Sequence, residues 1–251
     1  MIMRSNTIFI TGGGSGIGRG LAEAFHKLGN EVIIAGRREQ ALKKACGANP
    51  GMRYFVLDVT DPASIRSVAG KVMTQFPKLN CVFNNAGVQK YVDFSGAQPV
   101  DDAALAAELN TNVLGLMRVS AEFLPHFRKQ DHATLVNVSS GLAFVPLARF
   151  PIYCASKAAV HSFSVSLRRQ LRDSGVKVLE LIPPYVDTDL GGPGKTRPAG
   201  APTPMPLDEF IKETMEELAK DCDEIAIGPA KNLVAATAPE SFQKVFAGMN
   251  R

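Results

Sequence analysis

Two short stretches of this chain combine residue types and spacings that can do chemistry. Residues 11–18 read Thr-Gly-Gly-Gly-Ser-Gly-Ile-Gly and follow directly on the apolar run Thr7, Ile8, Phe9, Ile10. An amphipathic stretch with Leu21, Ala22, Phe25 and Leu28 comes next. Strand, glycine turn and helix in that order bind a phosphate. Glycines let the backbone approach the anion, and the helix start offers unpaired N–H groups and the positive end of its dipole. The candidate cradle is Gly12, Gly14, Ser15, Gly16, Ile17 and Gly18. Far downstream stands Tyr153-Cys154-Ala155-Ser156-Lys157. On a helix, Tyr153 and Lys157 lie one turn apart on one face. An ammonium near a phenol favours the phenolate and lowers the tyrosine pKa towards a working pH. A phosphate cradle and a tuned tyrosine together point to nicotinamide-dependent carbonyl chemistry.

Each motif also has a plainer reading. The spacing Gly12-x-x-x-Gly16-x-Gly18 is not G-x-G-x-x-G, and a glycine-rich turn can be only a tight turn; its place after the first strand favours the phosphate. The second strand ends Ala35-Gly36-Arg37-Arg38. NAD-binding folds carry an acid about 20 residues past the glycines for the ribose 2′-hydroxyl. Here Arg37 and Arg38 stand instead, and a guanidinium suits a 2′-phosphate. The expected cofactor is therefore NADP(H); the plainer reading is two solvated arginines opening a helix. His161, one turn past Lys157, is expected to be packed or solvated rather than a relay. Cys154 is expected to be a small packing residue, because adjacent helix positions face different ways.

These groups need elements to hold them. Strand candidates are 7–10, 31–35, 52–57, 81–84, 133–139, 176–182 and 224–227, and helix candidates are 16–29, 38–46, 62–76, 100–129, 153–173 and 207–220. Such alternation builds right-handed βαβ units around a parallel sheet. Residues 32–35 and 135–138 read as interior strands buried on both faces. Residues 191–206, rich in glycine and proline, can form neither helix nor central strand. They are a passive linker or, after the sixth strand at the ligand-binding edge, a substrate-side lid. With residues 142–152 they would wall a largely apolar pocket containing Arg149, Lys195 and Arg197.

Composition excludes several function classes. The hydrophobic fraction of 45% and charged fraction of 21% are those of an ordinary globular protein. The net charge of +4 comes from scattered lysines and arginines. No basic stripe or aromatic platform serves nucleic acid, and a small anion is a sufficient partner. The four cysteines, Cys46, Cys81, Cys154 and Cys222, show no C-x-x-C spacing. No metal site is expected, and free thiols suit a reducing, cytoplasmic location. No signal-peptide core and no membrane-length apolar run occurs, so no membrane partner is expected.

Taken in order, the motifs resemble the short-chain dehydrogenase/reductase family, strongly over about 1–190. They are the glycine turn, Asp58-Val59, Asn84-Asn85-Ala86-Gly87, Asn112, Val136-Asn137-Val138-Ser139-Ser140, Tyr153-x-x-x-Lys157 and Pro183 through Thr188. The resemblance is weaker to bacterial oxidoreductases associated with the operon for lipoteichoic acid D-alanylation, and that implies no substrate. It implies one doubly wound α/β Rossmann domain over 1–251, with seven parallel strands in order 3-2-1-4-5-6-7. Residue by residue, Asp58 and Val59 would contact the adenine, while Asn84, Ala86 and Gly87 would support the adenosine ribose and the sheet centre. Asn112 would hold a water linking the lysine to solvent. Ser140, thirteen residues before Tyr153, would hydrogen-bond the substrate oxygen, with Ser139 a structural neighbour. Lys157 would also grip the nicotinamide ribose. Pro183, Val186 and Thr188 would line the nicotinamide, Thr188 at its carboxamide. Pro183-Pro184 departs from the usual Pro-Gly and puts the nicotinamide-side pocket in question. The implied activity is NADP-dependent reduction of a small carbonyl compound, or alcohol oxidation in reverse. The alternative is an NADP-binding regulator without turnover. Helices 100–129 and 153–173 would pair copies into a homodimer or homotetramer.

Overall fold

The computed structural model describes residues 1–96, 99–191, 202–220, 222–237 and 239–249. Its strands are β1 (Thr7–Thr11), β2 (Glu31–Gly36), β3 (Arg53–Val56), β4 (Leu79–Asn84), β5 (Ala133–Val138), β6 (Val176–Ile182) and β7 (Glu224–Ala226). They form one sheet in the order β3-β2-β1-β4-β5-β6-β7, as expected, and every pairing is parallel. The order reverses between β1 and β4. A crevice opens at such a switch point, outside the carboxyl ends of the strands.

Alternation along the strands splits the core into two layers. Ile8, Ile10, Val32, Ile34, Phe83 and Val136 face α1 (Gly16–Lys27) and α7 (Leu207–Leu218), which supply Leu21, Phe25, Phe210 and Leu218. Phe9, Ile33, Val82, Leu135 and Val178 face the other way. There they meet α3 (Pro62–Gln75), α5 (Leu116–Phe127) and α6 (Pro151–Leu171) through Val68, Val72, Phe123, Leu167 and Leu171. Strands covered on both faces need continuous apolar runs, and 32–35 supplies one with no residue exposed. α3 starts where Asp61 accepts the Ala63 N–H at 2.8 Å and Pro62 occupies the first turn.

The helix expected over 100–129 is present but interrupted. α4 (Asp102–Leu109) runs into a π-helical turn, Asn110–Gly115, before α5 begins. A π turn inserts one extra residue, a feature periodicity does not reveal. Gly115 is needed there, because a Cβ would stand 2.8 Å from the Val59 carbonyl oxygen. α2 is Glu39–Ala48; α8 (Ala230–Ala235) and α9 (Pro239–Met249) lie where no helix was expected. The lid candidate falls largely on 192–201, outside the described residues. Met205, near its far end, is tied to the segment after β6: its N–H donates to the Tyr185 carbonyl at 2.8 Å, and its carbonyl accepts the Asp187 N–H at 2.9 Å.

Two glycines predict opposite responses to a methyl group. A Cβ on Gly18 would lie 2.5 Å from the Gly12 carbonyl oxygen, whereas Gly70, in α3, has nothing within 4 Å. Gly18→Ala should cost about 1–3 kcal/mol through overpacking. Gly70→Ala should add about 0.5–1 kcal/mol by removing helix-interior glycine. Thermal unfolding followed by circular dichroism measures both; equal shifts would refute the packing account.

Candidate active site

The glycine turn is clasped between the ends of β1 and β4. Gly12 and Gly16 have positive φ, 68° and 53°, which glycine adopts without strain. A Cβ on Gly12 would also stand 2.9 Å from the Ala86 Cα. Thr11 Oγ1 accepts the N–H groups of Asn85 and Ala86 at 3.0 and 3.1 Å. The Asn85 side chain donates to the Thr11 carbonyl at 2.9 Å. Sequence reasoning missed Asn85; its one signal was a polar residue directly after a buried strand. Ser15 precedes α1 without capping it, and the first turn carries no acid. Gly14, Gly16 and Gly18 let neighbouring atoms come close: a Cβ would stand 3.3 Å from Ala41 Cβ, 3.4 Å from Thr188 and 2.5 Å from the Gly12 carbonyl oxygen, respectively.

The rest of the expected cofactor set gathers along the same edge. Arg38 Nη2 donates to Ser15 Oγ at 2.7 Å, which brings the second strand's arginine to the rim of the glycine turn. Burial would raise the Asp58 carboxyl, but hydrogen bonds from Thr60 N–H and Oγ1 and the nearby Arg37 charge hold it below the usual range. Val59 packs under Gly115. The Asn84 side chain is buried and turned to the sheet centre, donating to Ser120 Oγ and Asn137 Oδ1, both at 2.9 Å. Gly87 borders two of the expected site residues: a Cβ there would lie 3.4 Å from Asn112 Oδ1 and 3.7 Å from Lys157 Nζ. The Pro183 carbonyl accepts the Gly141 N–H at 2.9 Å, and Val186 bridges to Met205. A Cβ on Gly16 would touch Thr188 at 3.4 Å, so the loop after β6 reaches back to the first loop.

Ser140, Tyr153, Lys157 and Asn112 come together from three separate elements. Tyr153 lies in the first turn of α6 and Lys157 in the next; both are buried, with Nζ 5.6 Å from the phenol ring centroid. Ser140 follows β5, and its hydroxyl hydrogen-bonds the Tyr153 side chain. Its Oγ also accepts the Leu142 N–H at 3.2 Å. Asn112 sits in the π turn. Its Oδ1 accepts the Val88 N–H at 2.8 Å, and its Nδ2 donates to the Val88 carbonyl at 2.9 Å and to Ser156 Oγ at 3.0 Å. One helical turn earlier, buried Glu108 accepts the Lys90 N–H at 2.8 Å. Segment 88–90 is therefore fixed from the helix that carries Asn112. Beyond it a cleft of about 840 Å³ is lined by Tyr91, Val92, Asp93, Phe94, Arg149 and Pro151. The expected wall at 142–152 contributes to it; the facing wall at 91–95 was not foreseen.

The electrostatics differ from the expectation for the Tyr153–Lys157 pair. Burial raises the phenol above its ordinary value, and the Ser140 hydrogen bond pulls the other way. Lys157 donates from its ammonium to the Val138 carbonyl at 2.8 Å, and the expected lowering of the tyrosine is outweighed by burial in this arrangement. Burial also draws Lys157 down to about 8, against the opposing charge of Glu180. Cys154 packs as expected, taking the Leu147 N–H at 3.3 Å. His161 rests on Glu180 at 2.8 Å.

The lysine shift sets a stability trend. A folded pKa of about 8 against an ordinary 10.5 means the unfolded chain holds the proton more tightly in between. This group therefore raises stability as pH climbs from about 8 towards 10, and below 8 its burial opposes folding. Lys157→Met should flatten that rise and, at pH 7, stabilise the fold. Denaturant unfolding at several pH values tests this; a Lys157→Met protein as pH-dependent as the parent would refute it.

A family model described as short chain dehydrogenase matches residues 6–197. The uncharacterized oxidoreductase DltE of Bacillus subtilis (strain 168) is 39% identical over 253 residues, spanning all of this chain and 98% of that protein. A short chain dehydrogenase from Burkholderia cenocepacia J2315, solved in complex with NADP, superposes with a TM-score of 0.84 at 24% identity over 99% of each chain. A short chain dehydrogenase/reductase from Burkholderia phymatum, solved in complex with NAD, gives 0.82 at 24% identity over 97% of each chain. The two structures speak to the fold, and the family model and full-length relative to descent: the chain belongs to the short-chain dehydrogenase/reductase family and is an oxidoreductase.

Proposed function

We propose that the chain is an NADP-dependent carbonyl reductase, running in reverse as an alcohol dehydrogenase, built as a single dinucleotide-binding domain over 1–251. The observation that carries this reading is the Ser140–Tyr153 hydroxyl pair, hydrogen-bonded together one turn from buried Lys157 at the carboxyl edge of the sheet. Gly12, Gly14, Ser15, Gly16, Ile17 and Gly18 would cradle the dinucleotide phosphates. Arg37 and Arg38 would hold the 2′-phosphate, the second already beside Ser15. Asp58 and Val59 would border the adenine, Ala86 and Gly87 the sheet centre, and Pro183, Val186 and Thr188 the nicotinamide. The bound nicotinamide supplies or accepts the hydride.

The remaining chemistry falls to the chain. Tyr153 gives its hydroxyl proton to the substrate oxygen in reduction and takes it back in oxidation. Ser140 orients that oxygen, and its hydrogen bond strengthens as negative charge develops there. Lys157 would hold the cofactor ribose, and its positive charge would favour the phenolate of Tyr153. Asn112 fixes segment 88–90 and α6 through Val88 and Ser156. The cleft beside Tyr91, Phe94 and Arg149 would take the substrate, with the guanidinium 5.3 Å from the Tyr91 ring. Among the described residues no helix is long and apolar enough to cross a membrane. Leu109, Leu114 and Val165 are each 40–42% exposed on α4, the π turn and α6, which supports pairing of copies through these helices.

Cofactor choice tests the arginine assignment. NADPH should bind about tenfold or more tightly than NADH, since a charge-assisted contact is worth roughly 1.5–3 kcal/mol. Gly36→Asp with Arg37→Ala should reverse the preference. Fluorescence titration measures both, and equal affinities in the unmodified chain would overturn the assignment.

Tyr153→Phe tests the chemistry. It keeps the ring and removes the proton donor, so NADPH binding should survive while kcat falls roughly 10²–10⁴-fold. Lys157→Met should impair both. The assay is nicotinamide absorbance with any carbonyl accepted from a broad panel. Full turnover by Tyr153→Phe would remove the mechanism. Tight NADPH binding with no carbonyl or alcohol turned over would favour the regulatory reading.

A further inference from the structure

A carboxylate with no solvent exposure stands behind the Lys157 turn. Glu180, on β6, pairs in register with Asn137 of β5 and Glu224 of β7. The next register pair, Val138 and Leu181, includes the carbonyl that accepts the Lys157 ammonium. Lys157 and His161 lie one turn apart on α6, on the side facing the sheet. His161 Nδ1 lies 2.8 Å from Glu180 Oε2. The other oxygen, Oε1, is buried without a hydrogen-bond partner among the described residues. Such a group is costly to bury unless a nearby opposite charge compensates.

The charged groups facing Glu180 come from α6 and β7. Arg168 is committed elsewhere: Nη1 lies 3.4 Å from Glu224 Oε1, and Nε donates to the Val178 carbonyl at 3.1 Å. Glu224 is therefore already neutralised at the surface. His161 is partly exposed, its ring 4.6 Å from that of Phe144 in the turn after Ser140. That leaves Lys157, 5% exposed, as the buried cation on this side of the sheet.

We propose that Glu180, held by His161, is a positioning residue for Lys157: its carboxylate is the fixed counter-charge that keeps the buried ammonium protonated and available to the crevice. This rests on the role given to Lys157 under Proposed function. The sign is consistent, since burial draws Lys157 down and the Glu180 charge acts in the opposite sense. A cation site is the competing reading, because ligand atoms of His161, Glu180 and Glu224 lie within 4.8 Å of one another. A cation there would have to displace both the His161–Glu180 hydrogen bond and Arg168.

The test reads protonation directly, on the full chain without cofactor or substrate. Carbon-13 NMR of labelled lysine, with Lys157 assigned by its loss in Lys157→Met, follows the ammonium. Labelled glutamate follows Glu180 in the unmodified protein. Lys157 should titrate near 8. In Glu180→Gln the Lys157 titration should fall by about one pH unit. The alkaline limb of NADPH binding should fall with it, and Glu180→Asp should restore most of the difference. A merely structural Glu180 would lower the thermal midpoint and leave the titration in place. Three results overturn the proposal: Glu180 protonated at pH 8 in the unmodified protein, an unmoved Lys157 titration in folded Glu180→Gln, or saturable zinc binding that His161→Gln abolishes. Absence of turnover with every carbonyl would count against the enzymatic reading alone, because the titration needs no catalysis.

Discussion

A buried ammonium is the constraint around which the carboxyl edge of the sheet is arranged. Lys157 is almost fully enclosed, and its nitrogen lies against the Val138 carbonyl at the end of β5. An ion in that position needs dipoles and counter-charge, or it gives up its proton. Asn84, Asn137 and Glu180 occupy equivalent register positions on β4, β5 and β6 and form a polar seam across a sheet face that is otherwise apolar. Asn84 donates to Asn137, Asn137 donates to Ser164 on α6, and Glu180 takes His161 from the same helix. These hydrogen bonds tie the three strands to α6, although Asn84 Oδ1 and Glu180 Oε1 have no hydrogen-bond partner among the described residues. The seam therefore sets α6 at one height on the sheet, which sets Tyr153 and Lys157 relative to Ser140.

The opposite wall is fixed by a different device. In a regular helix the Asn112 side chain would be one of several facing its neighbours. The π turn, with Gly115 against Val59, presents it to the Val88 backbone and to Ser156 together. Glu108 repeats the arrangement one turn earlier by holding the Lys90 N–H. A loop that would otherwise be free to move becomes an extension of the helix. Tyr91 and the cleft begin where this support ends.

How much of this was legible in the sequence depends on how local the physics is. Strands 32–35 and 135–138 announced themselves because a doubly covered strand must be apolar throughout, and the glycine turn because only glycine accepts that backbone and that closeness. Tyr153 and Lys157 were legible as a pair because helix spacing alone makes them neighbours. Glu180 was not. On the chain it is one carboxylate in a strand, and its meaning comes from a register with Asn137 and a contact with His161 that no local pattern encodes. Asn85 was passed over for the same reason, since its work is to tie two strand ends together. The π turn was hidden because one inserted residue barely disturbs helical periodicity. The sign of the tyrosine shift was misjudged because spacing says that two groups are near, and does not say how dry their surroundings are.

That sign bears on direction. A phenol raised by burial holds its proton, and a protonated tyrosine is the form that the proposed carbonyl reduction would consume. Oxidation of an alcohol needs the phenolate, which this enclosure disfavours until a positive charge faces the hydroxyl. In the proposed mechanism Lys157 would supply that charge, and it can do so only while protonated. The lysine's own proton therefore governs how readily the tyrosine releases one. With Lys157 drawn down to about 8, alkaline conditions weaken that control in the pH range where alcohol oxidation would otherwise gain from proton release. In the proposed reaction, the burial that gives the site its geometry thus also keeps the tyrosine in its proton-donating form at neutral pH.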